Sequence, residues 1–297
     1  MSKITDRTRF LWDLGGRGLF LVHVWDEFNN RAKSWDITQS ETNINGSLSN
    51  NANYVGACEA AISSRANFLR FRSCRSYRKI LEHVSPRTGQ AYLNFLDANG
   101  LAIKILKQYR KQLNIGGPSM YWFPQLGMIS PTSIRYAKVH QDISNLFGDI
   151  SNFGIVEIGC GYGGMAAQIL LSSQSTSYCL VDLPIVEKLA LTYIQEVSPK
   201  ILERISTSSE KSNKSYDLLI SNYAFSELNR ALQDAYIEKY LLKSKRGYMI
   251  YNHINPSEFN SYTAEEICKI IPGAHILPEI PLTDKTNVLI VWGDILK

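Results

Sequence analysis

The run Gly154-Ile-Val-Glu-Ile-Gly-Cys-Gly-Tyr-Gly-Gly164 constrains the fold more than any other stretch of the chain. Ile155 to Ile158 form a short apolar run holding one acid and read as a buried strand. Gly159, Gly161, Gly163 and Gly164 permit a tight turn, and Met165 to Leu171 read as the helix that leaves it. Glycine tolerates positive φ and carries no Cβ, so a ligand can lie against main-chain N–H groups near a helix N-terminus. Gly159, Gly161 and Gly164 also fit the G-x-G-x-x-G pattern of dinucleotide-binding folds.

Two acids help to choose. Glu157 stands two residues before the first glycine, where its carboxylate is expected to face the cleft and meet a cationic or amino-bearing ligand. Asp182 closes the next apolar run, Tyr178-Cys-Leu-Val-Asp182, where a carboxylate can accept both hydroxyls of a ribose. Its structural alternative is to cap the following helix. A dinucleotide needs only the second acid. The spacing E-x-G-x-G-x-G followed by Asp182-Leu-Pro184 resembles the S-adenosylmethionine pocket of class I methyltransferases. A dehydrogenase and a purely structural glycine turn are the alternatives.

Strand and helix alternate after the glycine turn. Strands are expected at 178–181, near 204–207, at 216–221 and 248–252, with helices at 186–197, 231–242 and 263–271. Alternation of this kind implies a parallel sheet with helices on both faces. Two last strands, near Ile276 and at 288–292, are joined by a Pro/Thr/Asp/Lys loop with no room for a crossover helix, so they form an antiparallel hairpin at the sheet edge. The expected fold class is α/β, a Rossmann-like seven-stranded mostly parallel sheet with an antiparallel last strand, as in class I methyltransferases. A mainly α-helical N-terminal domain precedes it. The boundaries are 1–117 for the helical domain, serving substrate or a dimer contact, 118–150 for an aromatic loop and linking helix, and 151–297 for the cofactor domain.

Residues 1–36 read as short helices joined at the Gly15–Gly18 turn, which lacks the lysine and hydroxyl of a phosphate loop, and 38–53 read as a polar loop. Apolar residues at helical spacing from Tyr54 to about Ile115 give three or four helices, broken near Pro86 and Gly100. Residues 1–117 hold 17 Lys/Arg against 9 Asp/Glu, whereas 118–297 hold 15 against 18, so the net charge of +5 belongs to the N-terminal part. Its densest cluster is Arg65, Arg70, Arg72, Arg75, Arg78 and Lys79, which the helical repeat spreads around most of the circumference. A solvated, partly ion-paired helix is the simpler reading. An anionic substrate also fits, and no RNA-recognition signature supports a nucleic-acid partner.

Tyr121, Trp122 and Phe123, set between glycines and prolines, suit an ordered loop whose rings pack on a sugar, or a weld between domains. A helix from Pro131 to Phe147 carries Arg135, Tyr136 and His140; the i, i+4 spacing puts Tyr136 and His140 on one face, towards the cleft. The five cysteines are scattered without a C-x-x-C pair, which suits reduced thiols in a cytosolic protein. With neither a signal peptide nor a run long enough to cross a bilayer, a cytoplasmic location is expected.

In open parallel sheets, ligands sit at the carboxyl ends of the strands. That selects the loop from Ser208 to Glu210, the segment Ser221-Asn-Tyr-Ala-Phe-Ser-Glu-Leu228, and Asn252 with His253. Together with Ile129-Ser-Pro-Thr-Ser-Ile-Arg-Tyr136, the glycine turn, Val181-Asp-Leu-Pro184 and Arg246-Gly-Tyr-Met-Ile-Tyr-Asn252, this segment resembles the bacterial family of sugar O-methyltransferases over residues 116–255. The first 115 residues match no family by inspection. The resemblance implies S-adenosylmethionine as donor, a sugar or glycan hydroxyl as acceptor, and a place in surface polysaccharide or glycoconjugate synthesis.

The cofactor would meet Glu157, Gly159, Gly161, Tyr162, Gly163, Asp182, Leu183, Ser208, Ser221 and Asn222, with Leu183 over the adenine. The acceptor would meet Tyr121, Trp122, Arg135, Tyr136, His140, Tyr223 and Asn252. Related plant enzymes carry a catalytic histidine where this chain has Ser226, so the base falls to Glu227 or His253. Helix N-terminal electrostatics and a strand-end hydrogen bond are their structural alternatives. No compact ligand cluster calls for a metal. Other readings are a non-sugar small-molecule O- or N-methyltransferase and a silent cofactor-binding partner in a glycan-assembly complex.

Overall fold

The computed structural model describes residues 23, 25–31, 34–37, 46–48, 51–173, 176–209 and 215–296. The expected turn at Gly15–Gly18, most of the 38–53 loop and Glu210 lie outside the described residues. Helices α1 (Ala52–Ser63), α2 (Arg75–Ile80), α3 (Pro86–Asn94) and α4 (Leu101–Gln108) fill the N-terminal part, with one-turn helices between some of them. The Asn51 side chain caps α1 by accepting from the Tyr54 N–H, and Ser85 caps α3 with Pro86 in its first turn. The breaks expected at Pro86 and Gly100 are both present.

Tyr121–Phe123 (β1) and Gly127–Ile129 (β2) pair as a small antiparallel hairpin where an ordered loop was expected. The expected helix α5 (Pro131–Phe147) follows, capped by Ser130. Then come β3 (Gly154–Ile158), α6 (Gly164–Ser172), β4 (Ser177–Val181), α7 (Pro184–Val197), β5 (Ile205–Thr207), β6 (Leu218–Asn222), α8 (Arg230–Lys239), β7 (Gly247–Tyr251), α9 (Ala264–Ile270), β8 (His275–Pro278) and β9 (Val288–Trp292). The fourth strand starts later than expected, because Tyr216 makes only an isolated bridge to Ser244. Among the described residues no helix is long and apolar enough to cross a membrane.

The sheet has the order β5-β4-β3-β6-β7-β9-β8. All neighbours pair in parallel except β9, which runs antiparallel to both β7 and β8. The last hairpin therefore turns at the same edge as the carboxyl ends of the parallel strands. Order and direction together are those of the class I methyltransferase sheet, and the reversed strand sets it apart from a dinucleotide fold.

The period of two divides each strand between two cores. Ile155, Tyr178, Leu218 and Tyr248 face a cluster built with α1, α5, α6 and α7, while Val156, Val181, Leu219 and Met249 face one built with α8 and α9. Tyr54, Ala57 and Cys58 of α1 belong to the first cluster, so the expected boundary at 117/118 is not marked by a break in the core. A third cluster joins α3, α4 and the β1–β2 hairpin to α5.

One buried ion pair ties the helical part to the glycine turn. Arg72 Nε lies 2.6 Å from Glu82 Oε1, both side chains shut off from solvent. Ser130 Oγ donates to Glu82 Oε2 at 3.0 Å, and Arg72 Nη1 donates to the Leu113 carbonyl at 2.7 Å. The guanidinium stacks 4.3 Å over the ring of Tyr162, between Gly161 and Gly163. The basic cluster is thus not uniformly solvated: Arg65 pairs with Glu196 at the surface and Arg70 lies over Trp35, but Arg72 is wholly buried.

Candidate functional site

A cavity of about 870 Å³ opens at the carboxyl edge of the sheet. One end is walled by Ile158, Gly159, Gly161, Asp182 and Leu183, the ends of β3 and β4. Gly159 takes φ +77°, and a Cβ there would meet the Ala224 Cβ at 2.0 Å, so only glycine lets the turn close on the segment after β6. Asp182 holds the turn: Oδ2 accepts from the Gly161 N–H at 2.9 Å and Oδ1 from the Leu183 N–H at 2.8 Å. Burial pushes its carboxyl up to about 6, against the pull of those two N–H groups.

The wall after β6 carries Asn222, Tyr223 and Glu227. Both polar atoms of the Asn222 amide are buried without a hydrogen-bond partner, an orphaned donor and acceptor in the wall of a cavity. Tyr223 takes φ +71°, rare for an aromatic residue, and its phenol donates to Glu279. The half-buried Glu227 accepts from Asn252 Nδ2 at 3.0 Å, and burial raises its carboxyl above the ordinary range. Asn252 is itself fixed by Ser226 Oγ at 2.8 Å.

Of the expected cofactor residues, Gly159, Gly161, Asp182, Leu183 and Asn222 line this cavity, as do Arg135, Tyr223, Asn252 and Glu227 among the expected acceptor and catalytic residues. Glu157 does not face it. Alternation places it on the Ile155 side of the sheet, beneath the helices, where it is 2 % exposed and accepts from the Tyr178 hydroxyl at 3.0 Å. Burial pushes its carboxyl up to about 8, so it is largely neutral at pH 7.

Tyr162 is covered by Arg72 and Tyr193, and Gly163 caps α6 in the left-handed region; neither reaches the cavity. Ser208 donates its N–H to Glu187 at 3.2 Å, and Ser221 is spent on the Phe225 N–H. Tyr136 and His140 do share a face, but the first turns of α5 are buried all round, between α3 and α4 on one side and α6 on the other. His140 lies in the protein interior, its Nδ1 unpartnered, and burial pushes its pKa down to about 4. Tyr121 and Trp122 belong to the hairpin, which packs on the helical part away from the cavity. His253, one of the two expected bases, is exposed beside Tyr251 and does not line the cavity. The side of the strand end, not the distance along it, decides this.

Other lining residues carry no local sequence signal. His83, Thr88 and Tyr92 come from the helical part, and Thr283 and Asn287 from the β8–β9 turn. Only the last pair had a clue: an antiparallel final hairpin must turn at the carboxyl edge. Burial and the charge of Arg135 push His83 down to about 4, so its ring is neutral at pH 7.

No family model matches the chain, and no curated protein matches it. Among solved structures it is similar to a Thermoplasma acidophilum protein (15 % identity, 66 % of this chain and 97 % of that one, TM-score 0.40). It is also similar to the pyocyanin biosynthetic protein PhzM (16 % identity, 55 % and 57 %, TM-score 0.40). A third is magnesium protoporphyrin IX methyltransferase from Synechocystis PCC 6803 with bound SAH (12 % identity, 54 % and 80 %, TM-score 0.39). Likeness at this level leaves the reading of the site to its own geometry.

Proposed function

We propose that this chain is an S-adenosylmethionine-dependent O-methyltransferase whose acceptor is a sugar hydroxyl, free or within a glycan. The observation that carries it is the meeting, in one cavity, of the glycine turn, the Asp182 carboxylate and the orphaned Asn222 amide beside a carboxylate, Glu227. These residues fit the donor: Asp182 would take the ribose hydroxyls, Leu183 the adenine face, and the Asn222 amide a group that both donates and accepts.

Bound there, the donor supplies a methyl group made electrophilic by its sulfonium. What the chain contributes is alignment and a proton acceptor. Glu227 takes the hydroxyl proton as oxygen bonds to carbon, and Asn252 keeps its carboxylate aimed. The acceptor half supports a sugar because it offers hydroxyl and amide groups, Thr88, Thr283, Asn252 and Asn287, beside the rings of Tyr92 and Tyr223. Incubation with methyl-labelled S-adenosylmethionine and a panel of nucleotide-sugars, glycans and non-sugar phenols and amines tests the reading. Label in a sugar supports it; label only in a non-sugar overturns the sugar assignment.

Asp182 gives a pH signature. Its folded pKa lies above the ordinary 3.8, so the stability it favours is present at low pH and is lost as pH rises through about 6. Ribose binding needs the ionised form and runs the other way. Calorimetry with S-adenosylhomocysteine should show affinity rising between pH 5 and 7 with an inflection near 6. Asp182→Asn should lose that inflection and bind about 10- to 100-fold more weakly, the loss of a charged hydrogen-bond acceptor. A pH-independent affinity in the unsubstituted protein would count against Asp182 as the ribose ligand.

A further inference from the structure

Arg135 is an unusual residue to find in the wall of a cavity. Its side chain comes from α5 and is 4 % exposed, yet it lines the cavity. Its Nε is buried without a hydrogen-bond partner. Among the described residues no carboxylate lies within ion-pair distance of it, although Arg65, Arg72 and Lys138 all have such partners. Its neighbours are rings: the guanidinium carbon lies 5.3 Å from the centroid of Tyr136 and 5.9 Å from that of Tyr223.

A buried cation without a counter-ion is costly, and proteins seldom keep one without a use. Two carboxyl groups feel its charge, Glu157 and Glu227, but neither lies within ion-pair distance of it, and burial pushes Glu157 up to about 8. His83 is neutral for the same reason of burial, with Arg135 adding to the effect. Lys79 adds a second, exposed cation to the cavity wall, and Asp284 is an exposed acid on the loop side. The buried part of this half therefore presents one guanidinium without an ion-pair partner among the described residues, its Nε unbonded, beside hydroxyls and aromatic faces.

We propose that Arg135 recognises an anionic group of the acceptor: the methyl-accepting molecule carries a carboxylate or phosphate that seats on this guanidinium while its hydroxyl faces Glu227. This deepens the reading of the cavity as a methyl-transfer site and rests on it. A guanidinium suits either anion through its planar fork of donors, and a fixed anion would also orient the rest of the acceptor towards the proton acceptor. The donor itself has a carboxylate, so the test must separate the two sources.

The experiment uses the full chain, Arg135→Met and Arg135→Lys. Unfolding midpoints are measured in the S-adenosylhomocysteine-saturated state with inorganic phosphate, glucuronate or glucose at matched ionic strength. Phosphate or glucuronate should raise the midpoint of the unsubstituted protein by more than about 1 °C, glucose should not, and Arg135→Met should lose the rise. Arg135→Met should also unfold, ligand-free, at or above the midpoint of the unsubstituted protein, because a buried charge has been removed. A purely structural arginine predicts the opposite, a clear fall in that midpoint.

Affinities for S-adenosylhomocysteine and for 5′-methylthioadenosine, which lacks the amino-acid tail, give the other arm. The proposal expects both to stay within about threefold in Arg135→Met, well under 1 kcal/mol. It is overturned if the variant binds S-adenosylhomocysteine no better than methylthioadenosine, which assigns Arg135 to the donor's carboxylate. It is equally overturned if neither anion shifts the midpoint. Failure of the unsubstituted chain to bind S-adenosylhomocysteine at all would instead remove the methyl-transfer reading.

Discussion

Arg72→Ala should destabilise the protein by about 3–5 kcal/mol, the usual consequence of removing one partner of a fully buried ion pair. Scanning calorimetry should show this as a fall of about 5–8 °C in the unfolding midpoint. The cause is what remains behind: Glu82 keeps its carboxylate in the interior with only Ser130 Oγ to meet it, and the carbonyls of Leu113 and Ile115 lose their donor. Removing both charges should cost much less, so Arg72→Met combined with Glu82→Leu should recover more than half of the loss. Because the guanidinium also roofs Tyr162, the single variant should weaken S-adenosylhomocysteine binding, although Arg72 touches no part of the cavity. A drop of less than about 1 kcal/mol would mean that the pair is solvated.

Glu227→Gln should lower kcat by about 10²- to 10⁴-fold, the range ordinarily supplied by a positioned base. Affinity for S-adenosylhomocysteine should remain within about threefold, because the amide keeps the size of the side chain and a hydrogen bond to Asn252. Single-turnover transfer of a labelled methyl group to whichever acceptor emerges from the panel gives the rate. The informative control is His83→Ala, since His83 also lines the cavity and its imidazole can take a proton. Its depressed pKa makes it a weak base, so its loss should cost under tenfold. Near-normal turnover in Glu227→Gln with collapse in His83→Ala would move the base to the helical part of the chain.

The end of the cavity built by the glycine turn was legible in the sequence, and the end built by the helical part mostly was not. Strands β3, β4, β6, β7 and β9 announce themselves as apolar runs ended by glycine or a polar residue, and Gly159, Gly161 and Asp182 stand at those ends. Such signals are local: the residue and its neighbours in sequence are also neighbours in space. Glu157 misled because distance from the glycine turn was weighed and the parity of its position was not; it shares a face with Ile155. Tyr136 and His140 misled because two residues at helical spacing share a face whether that face meets a cleft or a core. Of the two readings of the aromatic triplet, the packing fits the weld: Gly127 turns the chain back at φ +76°, and the rings of Tyr121 and Phe123 fold inward beside α3 and α5. His83 and Tyr92 reach the cavity only through packing across long separations in sequence, which no local pattern records.

The turn between β8 and β9 is governed from a single carboxylate. Glu279 accepts from Tyr223, from the Thr283 N–H at 3.0 Å, from Thr283 Oγ1 at 2.6 Å and from Asn287 Nδ2 at 3.2 Å. Thr283, Asp284 and Asn287 line the cavity, and the bond from Tyr223 braces the loop against the segment after β6. Because that one carboxylate fixes Tyr223, Thr283 and Asn287 together, the shape of this side of the cavity depends on an acid that does not itself line it.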